Sequence, residues 1–398
     1  MSNELVYQAL EEGEGIFNLV PNFVPRRFGE AGFRLRLHPD DYYPFGLKRG
    51  AIKERWFSSV VNVINGDDAP ENEGLSYVAL HSDTNKRFLF KEAVEVLGAK
   101  LIGKELFQEY GTWPMFAKFF DYKTPLFHHI HLMQHHADLV GKMAKPEAYY
   151  FPYQLNNYPG EFPVTYFGFD ASVNLDEIKE RLLQFEETDN RITELSRAFR
   201  IQLGTGWYVP AGVVHAPGSY LTYEPQWNSD VNAVVENVVA ADHYPYDFLV
   251  ENCPEDKKHD IDFILSLIDW EKNTDPEFRK HYFRPPLHSA GQNGVFEEKW
   301  ITYGNEYIAA KELTIEPGKT VSVKDHSAYG CIVIQGHGKF GIYDAEAAQV
   351  IRFGQMTSDE FFVSEEKAKS GVVISNHSKY EPMVILKHFV SNQDVPKA

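Results

Sequence analysis

Apolar positions along the chain fall into many short runs instead of long helical stripes. Between residues 124 and 169 the runs PLFHHIHLM, PEAYYFPYQL and FPVTYFGF are cut by Pro and Gly, and each reads as a strand of a sandwich or barrel. Further strands are expected at 199–203, 206–209 and 221–223, joined by Gly-rich turns such as LGTG and PAGVVHAPG. After residue 287 a second strand-rich block follows, with YIAAKELTI, the stretch 329–335, KFGIY, VVIS and MVILKHF. Three segments break this pattern. Residues 91–110 place Val94, Val96, Leu97, Leu101, Leu106 and Phe107 at helical spacing and predict one amphipathic helix. Asn174, followed by acidic residues and then Ile178, Leu182, Leu183 and Phe185, predicts a helix capped by that asparagine. In 241–286 the charged ENCPEDKKHD, the helical HDIDFILSLIDW and the stop RPP predict a helical connector.

The expected fold is therefore mainly β: a first β domain with helical insertions over 1–240, a helical connector over 241–286, and a second β domain over 287–398. Aromatic residues at 14% together with 28 Gly and 22 Pro favour the same reading, short strands with frequent turns. Charge narrows the function classes. Against 57 acidic residues stand only 39 Lys and Arg, a net charge of −18, which argues against a nucleic-acid partner. No run of about 18 apolar residues occurs and the first residues, MSNELVYQALEEGEG, lack a secretory core, so a cytoplasmic protein with no membrane partner is expected. Two cysteines, Cys253 and Cys331, suffice for neither a disulfide framework nor a thiolate zinc site.

The chemistry concentrates at His128-His129-Ile130-His131. On a strand, His129 and His131 project to one face and His128 to the other, so one face offers two imidazoles. Glu147 and His215, on or beside later strands, would complete a set of three nitrogens and one oxygen for a divalent first-row metal. Zinc, iron, manganese, cobalt and nickel all suit such a set. The second block has no His-x-His: His326, His377 and His388 are isolated, and a domain without metal is expected there.

These segments resemble class I mannose-6-phosphate isomerases of the cupin superfamily. The family's Q-V-H-P strand corresponds to His129-Ile130-His131-Leu132, its G-K-T-E to Ala144-Lys145-Pro146-Glu147, and its P-A-G-T-x-H to Pro210-Ala211-Gly212-Val213-Val214-His215. LIGKELFQEYGTWPMFAKFFDYKTPL, TYEPQWNSD and HDIDFILSLIDWEKN are also similar to family segments, and the resemblance runs from about residue 40 to 275. It implies two cupin-type domains, a divalent metal with zinc foremost, and a small sugar or sugar phosphate as substrate. It also implies an aldose–ketose isomerisation, with Lys145 and Glu224 as the candidates for substrate binding and proton transfer.

Two departures qualify the resemblance. His129 stands where the family has a metal-binding Gln, which keeps a nitrogen ligand. Val234 stands where the family has an Arg, which takes away a charge-assisted partner for a phosphate. Replacement cations near the motifs are Lys118, Lys123, Lys145, Arg191, Arg197 and Arg200. Without one of them, a sugar lacking the phosphate is the expected substrate. A sugar-binding or regulatory protein that keeps the metal without turnover is the alternative. A cupin dioxygenase is disfavoured by the fifteen residues between His131 and Glu147, a gap longer than compact sites of that kind use.

Overall fold

The computed structural model describes residues 3–158 and 160–397. As the runs of short apolar segments imply, the chain is mainly β, and its named strands pair antiparallel in two blocks, each built from a large and a small sheet. In the first block a seven-stranded sheet runs in the order Phe283–Arg284, Gly206–Val209, Glu147–Tyr150, Thr222–Trp227, Met115–Phe120, Ala51–Phe57, Asn22–Arg26. It packs on a five-stranded sheet ordered Ser196–Arg200, Val164–Phe169, His215–Ala216, His129–Ile130, Ala233–Val234. Tyr149, Phe120 and Trp207 of the large sheet meet Phe167 of the small one in the core between them. The second block repeats the plan with nine strands against four.

The two large sheets pack back to back, with Ile52, Ala117, Phe119 and Tyr223 against Ile301, Ala310, Ile332 and Leu386. Their central strands are thus covered on both faces. Ala51–Phe57, Met115–Phe120, Thr222–Trp227 and Met383–Val390 are buried at every position. Any charge they carry must find a partner inside, because an unpaired buried charge costs several kcal/mol, about 3–5 where a partner is removed. In the second block Lys311, Lys387, Glu298 and Asp325 meet this demand as a closed ring. Lys311 Nζ lies 2.9 Å from Glu298 Oε2 and 2.8 Å from Asp325 Oδ1, and Lys387 Nζ lies 2.7 Å from Asp325 Oδ2 and also contacts Glu298.

Pairing also crosses the expected boundary near residue 240. Strands Ile16–Leu19, Tyr77–Ala79 and Arg87–Leu89 extend the nine-stranded sheet of the second block, with Ile16 opposite Val363. The single helix expected over 91–110 is instead three, Phe90–Leu97, Ala99–Ile102 and Lys104–Tyr110. Gly98 (φ 48°) and Gly103 (φ 91°) end one helix and begin the next. At Gly98 a Cβ would stand 2.9 Å from the Phe107 ring, so the chain folds back there and apolar periodicity alone did not reveal the break. The helix Leu175–Leu183 is capped as expected, Asn174 Oδ1 accepting from Glu177 N at 3.0 Å.

The connector forms short helices, among them Ile261–Ser266, Trp270–Asn273 and Phe278–Tyr282. Asn273, fully buried, donates from Nδ2 to Gly212 O at 2.7 Å and accepts from Val214 N at 2.8 Å, which anchors the loop leading into His215. Gly212 (φ 83°) permits this approach: a Cβ there would sit 2.9 Å from Asp269. Among the described residues, no helix is long and apolar enough to cross a membrane.

Candidate metal centre

His129 and His215 lie directly opposite each other on paired strands of the small sheet. His131 follows on the face of His129, and Glu147 opens a strand of the facing large sheet. The structure brings all four sequence-predicted donors together in the interior of the first block, none more than 7% exposed. The ligand atoms of the three imidazoles lie within 4.8 Å of one another, and among the described residues this is the one such cluster of His, Cys, Asp or Glu. Glu147 Oε2 is 2.9 Å from His131 Nε2, and its Oε1 is 3.1 Å from His215 Nε2.

Which ring nitrogen carries the proton follows from the backbone. Nδ1 of His129, His131 and His215 faces the carbonyl oxygens of Phe127, Val231 and Val213 at 3.1, 2.9 and 2.8 Å. A carbonyl only accepts, so each Nδ1–H donates, and in the neutral ring each Nε2 presents a lone pair. Lone pairs and carboxylate oxygens therefore converge with no proton between them, an arrangement that calls for a cation. Lys145 answers half of it, its Nζ 3.0 Å from His131 Nε2 and 2.9 Å from Glu147 Oε2. His215 Nε2 and Glu147 Oε1 remain buried without a hydrogen-bond partner. Three imidazoles and one carboxylate fit a divalent first-row cation. Protonation agrees: burial and the neighbouring His215 and His131 hold His129 well below the usual histidine range, and burial with Lys145 brings His131 down to about 4. Burial opposes ionisation of Glu147, but the neighbouring Lys145 outweighs it and keeps the carboxylate charged.

Glu224 and Lys118 continue the charged interior. Glu224 Oε1 is 3.0 Å from Lys118 Nζ and 3.7 Å from Lys145 Nζ. Burial, reinforced by the charge of Glu147, pushes Glu224 up to about 8. Beyond Lys118 lies a group that sequence reasoning missed. Arg26 forks onto Glu54 at 2.9 and 3.2 Å and onto Asp230 at 3.2 Å, while Tyr122 Oη and Trp56 Nε1 donate to Glu54 at 2.9 and 2.8 Å. The available signal was a charged run, KERWF, inside an apolar strand pattern.

Val234 is the Cα partner of His129 on the adjoining strand. His128 projects away from the cluster and is held by Glu236, whose Oε2 accepts from its Nδ1 at 2.6 Å and its backbone N at 3.0 Å. Lys123 is exposed beside Glu30, Arg191 beside Glu194, and Arg200 ends an edge strand in solvent. Arg197 donates to the carbonyls of Phe167 and Asn273. In the second block His326 and His377 are exposed, while His388 sits mid-strand and not at a strand end, its Nδ1 2.9 Å from Tyr223 Oη.

A comparison with protein-family models gives no match, and neither does one with curated protein sequences. Solved structures do match. The chain is similar to the mannose 6-phosphate isomerase from Bacillus subtilis at 16% identity and a TM-score of 0.60, covering 94% of this chain and 99% of that one. It is similar to a mutant of phosphomannose isomerase from Salmonella typhimurium at 11% identity and a TM-score of 0.65, covering 95% and 100%. A mannose 6-phosphate isomerase bound with zinc and yttrium matches at 11% identity and a TM-score of 0.61, with the same coverage. Identities this low speak to architecture alone, and on that basis this is a mainly β protein with the cupin fold of the mannose-6-phosphate isomerases.

Proposed function

We propose that the protein is a metal-dependent aldose–ketose isomerase, with His129, His131, Glu147 and His215 as ligands of a divalent cation, zinc foremost. The observation that carries this is the convergence of three Nε2 lone pairs and one carboxylate, two of whose atoms are buried without partners. A cation held there supplies Lewis-acid stabilisation for negative charge on adjacent substrate oxygens. Converting an aldose to a ketose takes a proton from C2, returns one at C1 and moves one from O2 to O1, so atoms balance without a co-reactant. Glu224, pushed up to about 8 by burial, is the candidate to exchange the carbon-bound proton, its ionised form taking the proton and its acid form returning it. The Lys145 ammonium, between Glu147 and Glu224, orients a substrate hydroxyl and steadies charge on its oxygen.

The test is ketose formation by the metal-loaded protein from a panel of free and phosphorylated aldoses, with solvent deuterium incorporation at the reacting carbon. Glu224→Gln is expected to lower kcat by about 10²–10⁴ while metal content stays constant. No turnover of any aldose by metal-loaded protein would sink the reading. A sugar-binding protein without turnover is the second reading, favoured by Val234 in place of a charged group beside His129.

A further inference from the structure

The candidate centre is buried, and its cover is thinnest over one donor. Glu147 and His215 are fully buried and His131 is 3% exposed, whereas His129 reaches 7%. Residues directly opposite on antiparallel strands share a sheet face, so Val234 stands on the face of His129. Phe127, two residues before His129, lies with its ring 5.6 Å from that imidazole and meets Tyr244 edge-on at 4.7 Å. Val234, Phe127 and Tyr244 form one buried cluster, against which Phe28, Val239 and Phe248 pack from half-exposed positions. This aromatic wall stands between His129 and solvent, so whatever reaches the donors from that side must displace it.

A short hairpin carries part of the wall. Val238–Val239 and Asp242–His243 form a two-stranded sheet of their own, joined to neither block. Val238 is opposite His243 and Val239 opposite Asp242, so the ribbon has two faces. Val239 packs on the wall. Val238 and His243, on the other face, line a cleft of about 460 Å³ that Phe185, Glu187 and Asp189 also line. Tyr244 N donates to Asn237 O at 2.8 Å and closes the base of the ribbon. The turn is Ala240-Ala241, with φ 49° and 71°. Two left-handed residues suit a two-residue hairpin, but Asn-Gly meets that demand without the crowding a Cβ brings. An isolated two-stranded ribbon is marginal in water, and this one carries turn strain as well.

We infer that this hairpin is a gate: pivoting between Asn237 and Pro245, it swings into the cleft, draws Val239 and Tyr244 off Phe127, and opens the His129 side to metal and substrate. The inference rests on the centre proposed above and adds the path by which it is reached. Asn237 is a fixed pivot, its Nδ2 donating to Phe185 O and Thr188 O at 2.6 and 2.7 Å. The cleft gives room for the motion on one side of the ribbon, while the other side is packed against the wall.

Diethyl pyrocarbonate, which acylates neutral imidazoles, tests the gate without metal or turnover. It is applied to the metal-free full chain, and the rate at each histidine is read by peptide mass spectrometry. His129 is expected to react more slowly than exposed His326 and faster than His388, which is fully buried in the second block. Ala240→Asn with Ala241→Gly relaxes the turn, holds the gate shut and is expected to slow His129 by about tenfold. Tyr244→Ala thins the wall and is expected to speed His129 by about tenfold or more, with His326 and His388 unchanged. Equal rates at His129 in all three chains overturn the gate. So does acceleration of His388 in step with His129, because the opening is then global unfolding. Zinc release from the loaded chains to a chelator is expected to follow the same order, and identical release rates overturn the gate equally. Failure of every chain to bind zinc removes the metal reading and leaves the histidine rates to decide the gate.

Discussion

Replacing Lys387 with Met takes one corner from the ring of four charges in the second block. Lys387 is fully buried, bound to Asp325 at 2.7 Å and to Glu298. Without it, Lys311 alone must neutralise two carboxylates, which it already contacts at 2.9 and 2.8 Å. Removing one partner of a buried ion pair costs about 3–5 kcal/mol, because a charge stays behind in the interior without compensation. The unbranched Met side chain fills much of the same space, so a cavity adds little. That loss is a large part of the total, since a folded domain is stable by about 5–15 kcal/mol. Adding Glu298→Gln restores neutrality by leaving Lys311 with Asp325. The double variant is therefore expected to be more stable than Lys387→Met, with a coupling of about 0.5–3 kcal/mol. Urea denaturation followed by tryptophan fluorescence reads both effects, with Trp300 as a local reporter whose ring centre is 4.5 Å from Lys311 Nζ. A Lys387→Met loss below about 1 kcal/mol, or strict additivity in the double variant, would refute the coupled ring.

Two more outcomes are expected. His215→Ala removes one of the three imidazoles facing Glu147, and equilibrium dialysis should show divalent-metal affinity falling by at least about 100-fold; unchanged affinity would place the metal elsewhere. Glu360 is pushed up to about 8 by burial and the charge of Asp359, against the pull of Arg55, from an ordinary value of 4.5. It stays protonated in the folded chain while the unfolded chain ionises, so its contribution is complete below about pH 4.5 and lost as pH rises toward 8. Glu360→Gln should accordingly flatten that decline and gain on the order of 2–4 kcal/mol relative to wild type between pH 5 and 8, read from denaturation midpoints; an unaltered pH slope would contradict the assignment.

His129 and His131 were legible because strand alternation is local: they stand two positions apart, and period two puts them on one face. Asn174 was legible for the same reason, its partner Glu177 lying three residues away. The helix breaks at Gly98 and Gly103 were harder, since glycine is tolerated inside helices and the fold-back depends on Phe107. Arg26, Glu54 and Asp230 were not legible. They lie on segments far apart in sequence, and a charge in an apolar strand reads as a solvent-facing position until the second sheet covers it. The partners of Ile16–Leu19 escaped for a related reason, since register with Glu360–Val363 depends on contacts across most of the chain. For Val234 the residue itself was readable, but the aromatic wall beside it comes from four separate segments.

That same pairing of Ile16 with Val363 has a consequence during biosynthesis. At roughly 5–20 residues per second, the ribosome needs roughly 20–70 seconds to make the stretch between the two strands. For that interval the nascent N-terminal strand, buried at every position in the finished sheet, lacks one of its two final neighbours. The other neighbour, Tyr77–Ala79, emerges early, so that side of the strand can pair well before the sheet is complete. Closure of the nine-stranded sheet is thereby late in synthesis, since it waits for Glu360–Val363 and Met383–Val390 to leave the exit tunnel.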